Sequence, residues 1–142
     1  MGSVVRSTLA VIAGFVVASL VMMAVESLNG RMLYPELGRL AEGMTDRDAI
    51  RNLMANAPFG ALLVVLVGWA LASLVGGWVT ARIATNSPAG HGLVLGALLT
   101  LGGIANNLMI PPPIWFWVVG LVVFIPAAYA GARLAPGRRS RT

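Results

Sequence analysis

Four long apolar stretches, set apart by short breaks rich in Arg, Asn and Pro, occupy most of the chain. Hydrocarbon offers no partner to a free amide or carbonyl, so a stretch of about 20 apolar residues crosses a bilayer only as a helix that satisfies its own backbone. The pattern predicts an all-α, polytopic membrane protein: a four transmembrane helix bundle with a short external amphipathic helix. With 58% hydrophobic and only 11% charged residues, the composition is far from that of a soluble domain. One integral membrane domain over residues 1–142 is expected, with little length left for a separate soluble module.

The spans are read at about 4–28, 58–84, 91–109 and 114–134, with an external connection over 29–57 and a tail over 135–142. The first is longer than the roughly 7–15 apolar residues of a secretory signal and is kept as a span. Asn86, Ser87 and Pro88 break the second from the third, and Pro111, Pro112 and Pro113 remove consecutive amide donors before the fourth. Pro126 is expected to kink that last helix.

Arginine placement sets the expected orientation. Arg6, Arg82, Arg133, Arg138, Arg139 and Arg141 collect on one side, whereas Arg31, Arg39, Arg47 and Arg51 alternate with Glu36, Glu42, Asp46 and Asp48 in the long connection. Both termini are therefore expected in the cytoplasm of a bacterium, the chain lying multi-pass in its inner membrane. Arg138, Arg139 and Arg141 are read as anchors to lipid head groups. The net charge of +5 points to the membrane surface and to no nucleic acid, because the cations flank span ends without interleaved aromatics. Trp115, Phe116, Trp117 and Trp78 fit interface belts, while Trp69, about eleven residues into its span, needs an acceptor for its indole N–H.

In the connection, Asn29-Gly30 reads as a helix stop and Tyr34-Pro35 as a turn. Thr45 reads as an N-cap, with Asp46 and Asp48 favourably placed in the first turn. Ala49, Ile50, Leu53, Met54 and Ala57 recur at helical spacing opposite Arg47 and Arg51, the pattern of a helix lying on the outer surface or of a docking face.

Helices in lipid associate through close backbone approach, so small residues should mark their contacts. They recur at four-residue spacing as Ala10, Gly14 and Ala18; as Gly68, Ala72, Gly76 and Thr80; as Gly92, Gly96 and Thr100, continued by Gly103 and Asn107; and as Ala127, Gly131 and Ala135. No internal repeat relates the two pairs of spans, which argues against an inverted-repeat transporter within one chain.

Glu26 is the only acid inside a span and shares a helical face with Ser19 and Met22. Two readings stand: an interfacial anchor or ion pair with Arg31, and a proton or cation site. Glu26, Asn106, Asn107, Trp115 and Trp117 form the one candidate polar pocket, opening outward, and Ser19 and Thr100 are candidate pathway-lining residues. The alternative for Asn106 and Asn107 is helix capping before the proline run. The chain has no cysteine, which removes disulfides, thiolate metal sites and dithiol redox chemistry. His91, the sole histidine, makes no metal set by itself, and its bland reading is interfacial; an axial haem position shared with another chain is the alternative. No metal and no cofactor are expected.

Glu26–Pro35 (ESLNGRMLYP), Trp69–Ala84 (WALASLVGGWVTARIA) and Met109–Ala132 (MIPPPIWFWVVGLVVFIPAAYAGA) resemble a family of small four-span bacterial integral membrane proteins of uncharacterised function. The resemblance implies the topology and no activity. Small multidrug transporters share only the four short spans and an acid in the first, deeper there than Glu26, and the patterns of fluoride channels and membrane glutathione-using enzymes do not occur. Three functions follow as expectations. The foremost is a non-catalytic subunit or scaffold packing in a larger membrane complex, with other membrane subunits or itself as partner. The second is a homo-oligomeric small channel or proton- or cation-coupled transporter using Glu26. The third is a membrane enzyme or cofactor protein built on His91 or the outer pocket, although no residue constellation calls for catalysis.

Overall fold

The computed structural model describes residues 2–136, and these are all-helical. Helix α1 covers Ser3–Leu28 and runs on through a π-helical turn, Asn29–Leu33; α2 is Pro35–Ala41 and α3 Arg47–Ala55. Then come α4 (Phe59–Ile83), α5 (Pro88–Met109) and α6 (Ile114–Leu134). Four of these helices, counting α1 with its π turn, are long and apolar enough to cross a membrane. The chain is thus a multi-pass membrane protein with the architecture of a four-helix bundle.

Neighbouring spans alternate in direction. Arg6 of α1 meets Ile83 of α4, Gly14 meets Gly76, Val25 meets Gly68, and Asn29 meets Ala61, an antiparallel ladder along both helices. Helix α6 runs parallel to α4, Gly120 lying against Trp69 and Gly77 against Ala128. It runs antiparallel to α5, with Gly92 against Ala132 and Gly103 against Phe124. Helices α4 and α5 form the short diagonal, and α1 and α6 flank them on opposite sides.

Because α4 touches all three other spans, its buried residues go round the helix, from Ala61 and Leu62 through Trp69, Ala72 and Gly76 to Ala81. Helix α1 buries only the stripe Ala10, Gly14 and Ala18, which lets its backbone approach α4. On α6 the inward face runs through Gly120, Phe124, Ala128 and Gly131, whereas Ala127 and Ala135 are half-buried. Of the small-residue face expected there, Gly131 does face inward, but Ala128 and Ala132 are buried in place of Ala127 and Ala135. The inward position between Gly120 and Ala128 is taken by Phe124, a ring, so a search for small residues alone misses the true register.

Two boundaries in the external connection also differ from expectation. Asn29-Gly30 does not stop the first helix: Asn29 is buried in helical geometry, and its side-chain amide donates to the Ala61 carbonyl at 3.0 Å. That cross-helix bond offsets the turn signal, and the helix ends instead at Tyr34, where Pro35 disfavours helical geometry in the residue before it. The chain then turns back as α2, with Gly38 set against the carbonyl of Gly30. In α3 the cap is Asp46 rather than Thr45, its carboxylate accepting from the Ala49 amide at 3.0 Å. A formal negative charge complements the helix dipole better than a hydroxyl and shifts the start by one residue.

Both hydrogen-bonding and charge mark the Arg6 end of the bundle. The Arg6 Nε donates to the Ile83 carbonyl at 2.9 Å, placing a cation on the last turn of α4. The Arg82 guanidinium lies 5.5 Å above the Trp78 ring. Helix α5 starts at Pro88, whose missing amide costs nothing in a first turn, after Ser87 with a left-handed φ of 42°. Helix α6 continues unbroken through Pro126. Arg138, Arg139 and Arg141 lie outside the described residues.

Candidate functional site

A cleft of about 260 Å³ opens toward the other end of the bundle, between α1 and α5, with Glu26 on its rim. From α1 it takes Ser19, Met22, Met23 and Glu26; from α5 it takes Leu99, Gly102, Gly103 and Asn106. Each set follows the same spacing of three, four and seven residues, the signature of one helical face. Two facing stripes therefore make the walls. Gly102 contributes no side chain and faces open space, which leaves the hollow of the cleft, while the space beside Gly103 is taken by the Phe124 ring. Trp69 of α4 and Phe124 of α6 close the back, their rings stacked 4.9 Å apart between centroids.

The indole of Trp69 faces the Glu26 carboxylate. This supplies the acceptor that a tryptophan at this depth requires. Trp69 is thus core and site at once: buried at 3% exposure, with its ring on Phe124 and Phe116 and its polar atom turned to the cleft. Asn106 offers a carboxamide on the opposite wall. Ser19 returns its hydroxyl to the Phe15 carbonyl at 2.9 Å and so presents a satisfied oxygen rather than a free donor.

Glu26 also borders a second, wider cleft of about 740 Å³, between the end of α1 and α2. Arg31 lines this cleft too, but it makes no ion pair with Glu26. Among the described residues the ion pairs are Glu36 with Arg39 and Asp48 with Arg51, both within the connection. The carboxylate of Glu26 consequently has only the Trp69 indole beside it as a polar neighbour from the core, on the exposed flank of the bundle. Such a group can accept a hydrogen bond from, or balance the charge of, something arriving beside α1.

The remaining sequence candidates lie elsewhere. Asn107 faces the core at 1% exposure, and neither its side-chain nitrogen nor its oxygen has a partner. Trp115 stacks on Phe59 at 5.1 Å and on Phe116 at 5.9 Å, and both Trp115 and Trp117 are half-buried outside the two clefts. Thr100 donates to the Gly96 carbonyl at 2.8 Å within its own helix, also outside them. The glycines serve as close-approach points. Gly14 and Gly76 face each other's carbonyls, Gly68 lies on Val25, Gly96 on Ile125, Gly103 on the Phe124 ring and Gly131 on the Leu74 carbonyl.

Met22, Met23, Trp69, Leu99, Gly102, Gly103 and Phe124 line the cleft although sequence reasoning did not assign them to the pocket. The spacing of Gly102 and Gly103 before Asn106 carried the signal for the α5 wall. Nothing in the sequence aligned it with Glu26. His91 sits at the other end of the same α1–α5 groove, near Ser7 and Thr8, with its Nδ1 3.0 Å from the Ser87 carbonyl. Among the described residues no three His, Cys, Asp or Glu side chains gather as a metal set. No protein-family model, no curated protein and no solved structure matches the chain.

Proposed function

We propose that this chain is a non-catalytic integral membrane subunit or scaffold that packs in a larger membrane complex. One observation carries the reading: Glu26 stands within a membrane span, exposed on the flank of the bundle beside the Trp69 indole, with no cation paired to it. An acid at such a position costs up to a few kcal/mol against lipid and is ordinarily matched by a polar group of a neighbouring helix. The internal small-residue stripes are consumed within the chain, so a partner would approach at the α1–α5 groove, where Glu26, Ser19 and Asn106 are accessible. Placement in a bacterial inner membrane with both termini cytoplasmic is part of the same proposal. Arg6, Arg82 and Arg133 at one end of the bundle support that orientation.

Native mass spectrometry of the protein extracted gently from its own membrane tests the reading. A reproducible foreign membrane partner, lost with Glu26→Leu, is the expected result. A protein that emerges alone or only with copies of itself removes the subunit role.

The polar lining of the cleft favours one second reading, a homo-oligomeric channel or proton- or cation-coupled transporter in which Glu26 faces a shared pathway. There Glu26→Gln abolishes flux in proteoliposomes while expression persists. Flux that survives the substitution rules this reading out.

A further inference from the structure

From the wider cleft beside α1 we infer that the protein holds one zwitterionic phospholipid by its head group, of the phosphoethanolamine class, independently of any subunit role. The cleft measures about 740 Å³, within the range of ordinary ligand sites, and lies where α1 passes into its π turn and α2 folds back. That fold-back depends on Gly38, whose Cα sits against the Gly30 carbonyl with no room for a side chain. It brings Arg39 and Glu42 of the α2 segment across from Ser27 and Arg31.

Two guanidinium groups and two carboxylates, the second acid being Glu26, line one space. Arg31 has no ion-pair partner among the described residues, and Arg39 shares its charge with Glu36. A phosphodiester accepts forked hydrogen bonds from arginine, with the Ser27 hydroxyl as a further donor. A primary ammonium has three N–H donors for Glu42. An anionic head group would satisfy the arginines but meet the carboxylates at the same range, so the balanced lining selects a ligand with both charges. The membrane is the source of that ligand, because the cleft continues onto apolar surface: Met23 lines it, and Leu28 and Met32 stand 45% and 73% exposed on the same stretch of chain.

The test is a titration of the delipidated full-length protein in detergent with dioleoyl phosphatidylethanolamine, phosphatidylcholine or phosphatidylglycerol, read by native mass spectrometry. One phosphatidylethanolamine per chain is expected to bind in preference to both others, since phosphatidylcholine lacks ammonium N–H donors and phosphatidylglycerol lacks the cation. The double variant Arg31→Gln, Arg39→Gln should weaken it by roughly 30-fold, at the strength typical of arginine near a lipid surface. Glu42→Gln should erase the preference over phosphatidylglycerol. Unchanged helical circular dichroism in each variant, and partial rescue by Arg31→Lys with Arg39→Lys, separate recognition from misfolding. Equal binding of all three lipids, or no response to the double variant, overturns the assignment. So does soluble glycerophosphoethanolamine binding more tightly than the lipid, which would hand the site to a soluble phosphoester.

Discussion

Near the Arg6 end, a Cβ on Gly14 or Gly76 would come within 2.7–2.8 Å of the other residue's carbonyl oxygen, whereas toward the Glu26 end α4 meets α6 through the rings of Trp69, Phe116 and Phe124. The first half is sealed by backbone lying on backbone. Gly77 and Gly131 extend it to α6, set against the carbonyls of Ala128 and Leu74. In the second half glycines receive rings instead: Gly120 accepts Trp69 and Gly103 accepts Phe124. Lipid gives no hydrophobic drive to bring helices together, so contact distance is set by side-chain size. Small residues set the contacts of α4 at one end, and aromatic rings set its spacing from α6 at the other.

The largest effect is expected from removing the spacer. Trp69→Ala should cost about 3–5 kcal/mol, as for other buried aromatics, and should enlarge the Glu26 cleft. Unfolding in mixed detergent followed by circular dichroism measures it, and a cost below about 1 kcal/mol would mean that the rings do not hold this half together. Next comes a pair of identical substitutions in the two halves. Gly77→Ala drives a methyl into the Ala128 backbone and should cost about 3 kcal/mol, whereas Gly120→Ala meets the edge of a ring that can shift and should cost about 1 kcal/mol. Equal costs would erase the distinction between backbone and ring contacts.

Buried asparagines sharpen the contrast in another way. Asn107 has no partner for either polar atom, so Asn107→Leu should stabilise the fold by about 1–2 kcal/mol. Asn29 bonds across to Ala61, and Asn29→Leu should cost about 1 kcal/mol. Opposite signs are expected in the same unfolding assay; a loss at Asn107 would reveal an interior water or neighbour that satisfies its amide. The smallest stability change belongs to Glu26→Gln, within about 0.5 kcal/mol, because the group is exposed on the flank and keeps an oxygen for the Trp69 indole. Retention of partners, rather than stability, is where that variant should register.

Much of this comparison was legible beforehand in pieces. The four apolar helices, and small residues as their contacts, followed from hydropathy and four-residue spacing. The positions of Ala10, Gly14 and Ala18 could be read because all of the inward residues of α1 are small. On α6 one inward residue is Phe124, and the register could not be read by the same rule. The candidate site was legible in part: Glu26, Ser19 and Met22 share a face by periodicity alone. Asn106 and Asn107 are adjacent in sequence and so point about 100° apart, one to the cleft and one to the core, and no local signal says which is which.

The sequence by itself determined the solvent, the number of crossing helices and the polar groups that need a reason to be there, because hydrocarbon penalises every unsatisfied backbone group and every charge wherever the neighbours lie. It likewise determined where the helices could not continue, at Tyr34 before Pro35 and across Pro111–Pro113. Only the tertiary structure decided that α4 is central, that Trp69 rather than Trp115 or Trp117 meets Glu26, and that α2 folds back to face Arg31. Those facts are rotations and contacts between helices. Periodicity defines a face, but which neighbour it meets depends on side-chain volumes summed across several helices at once.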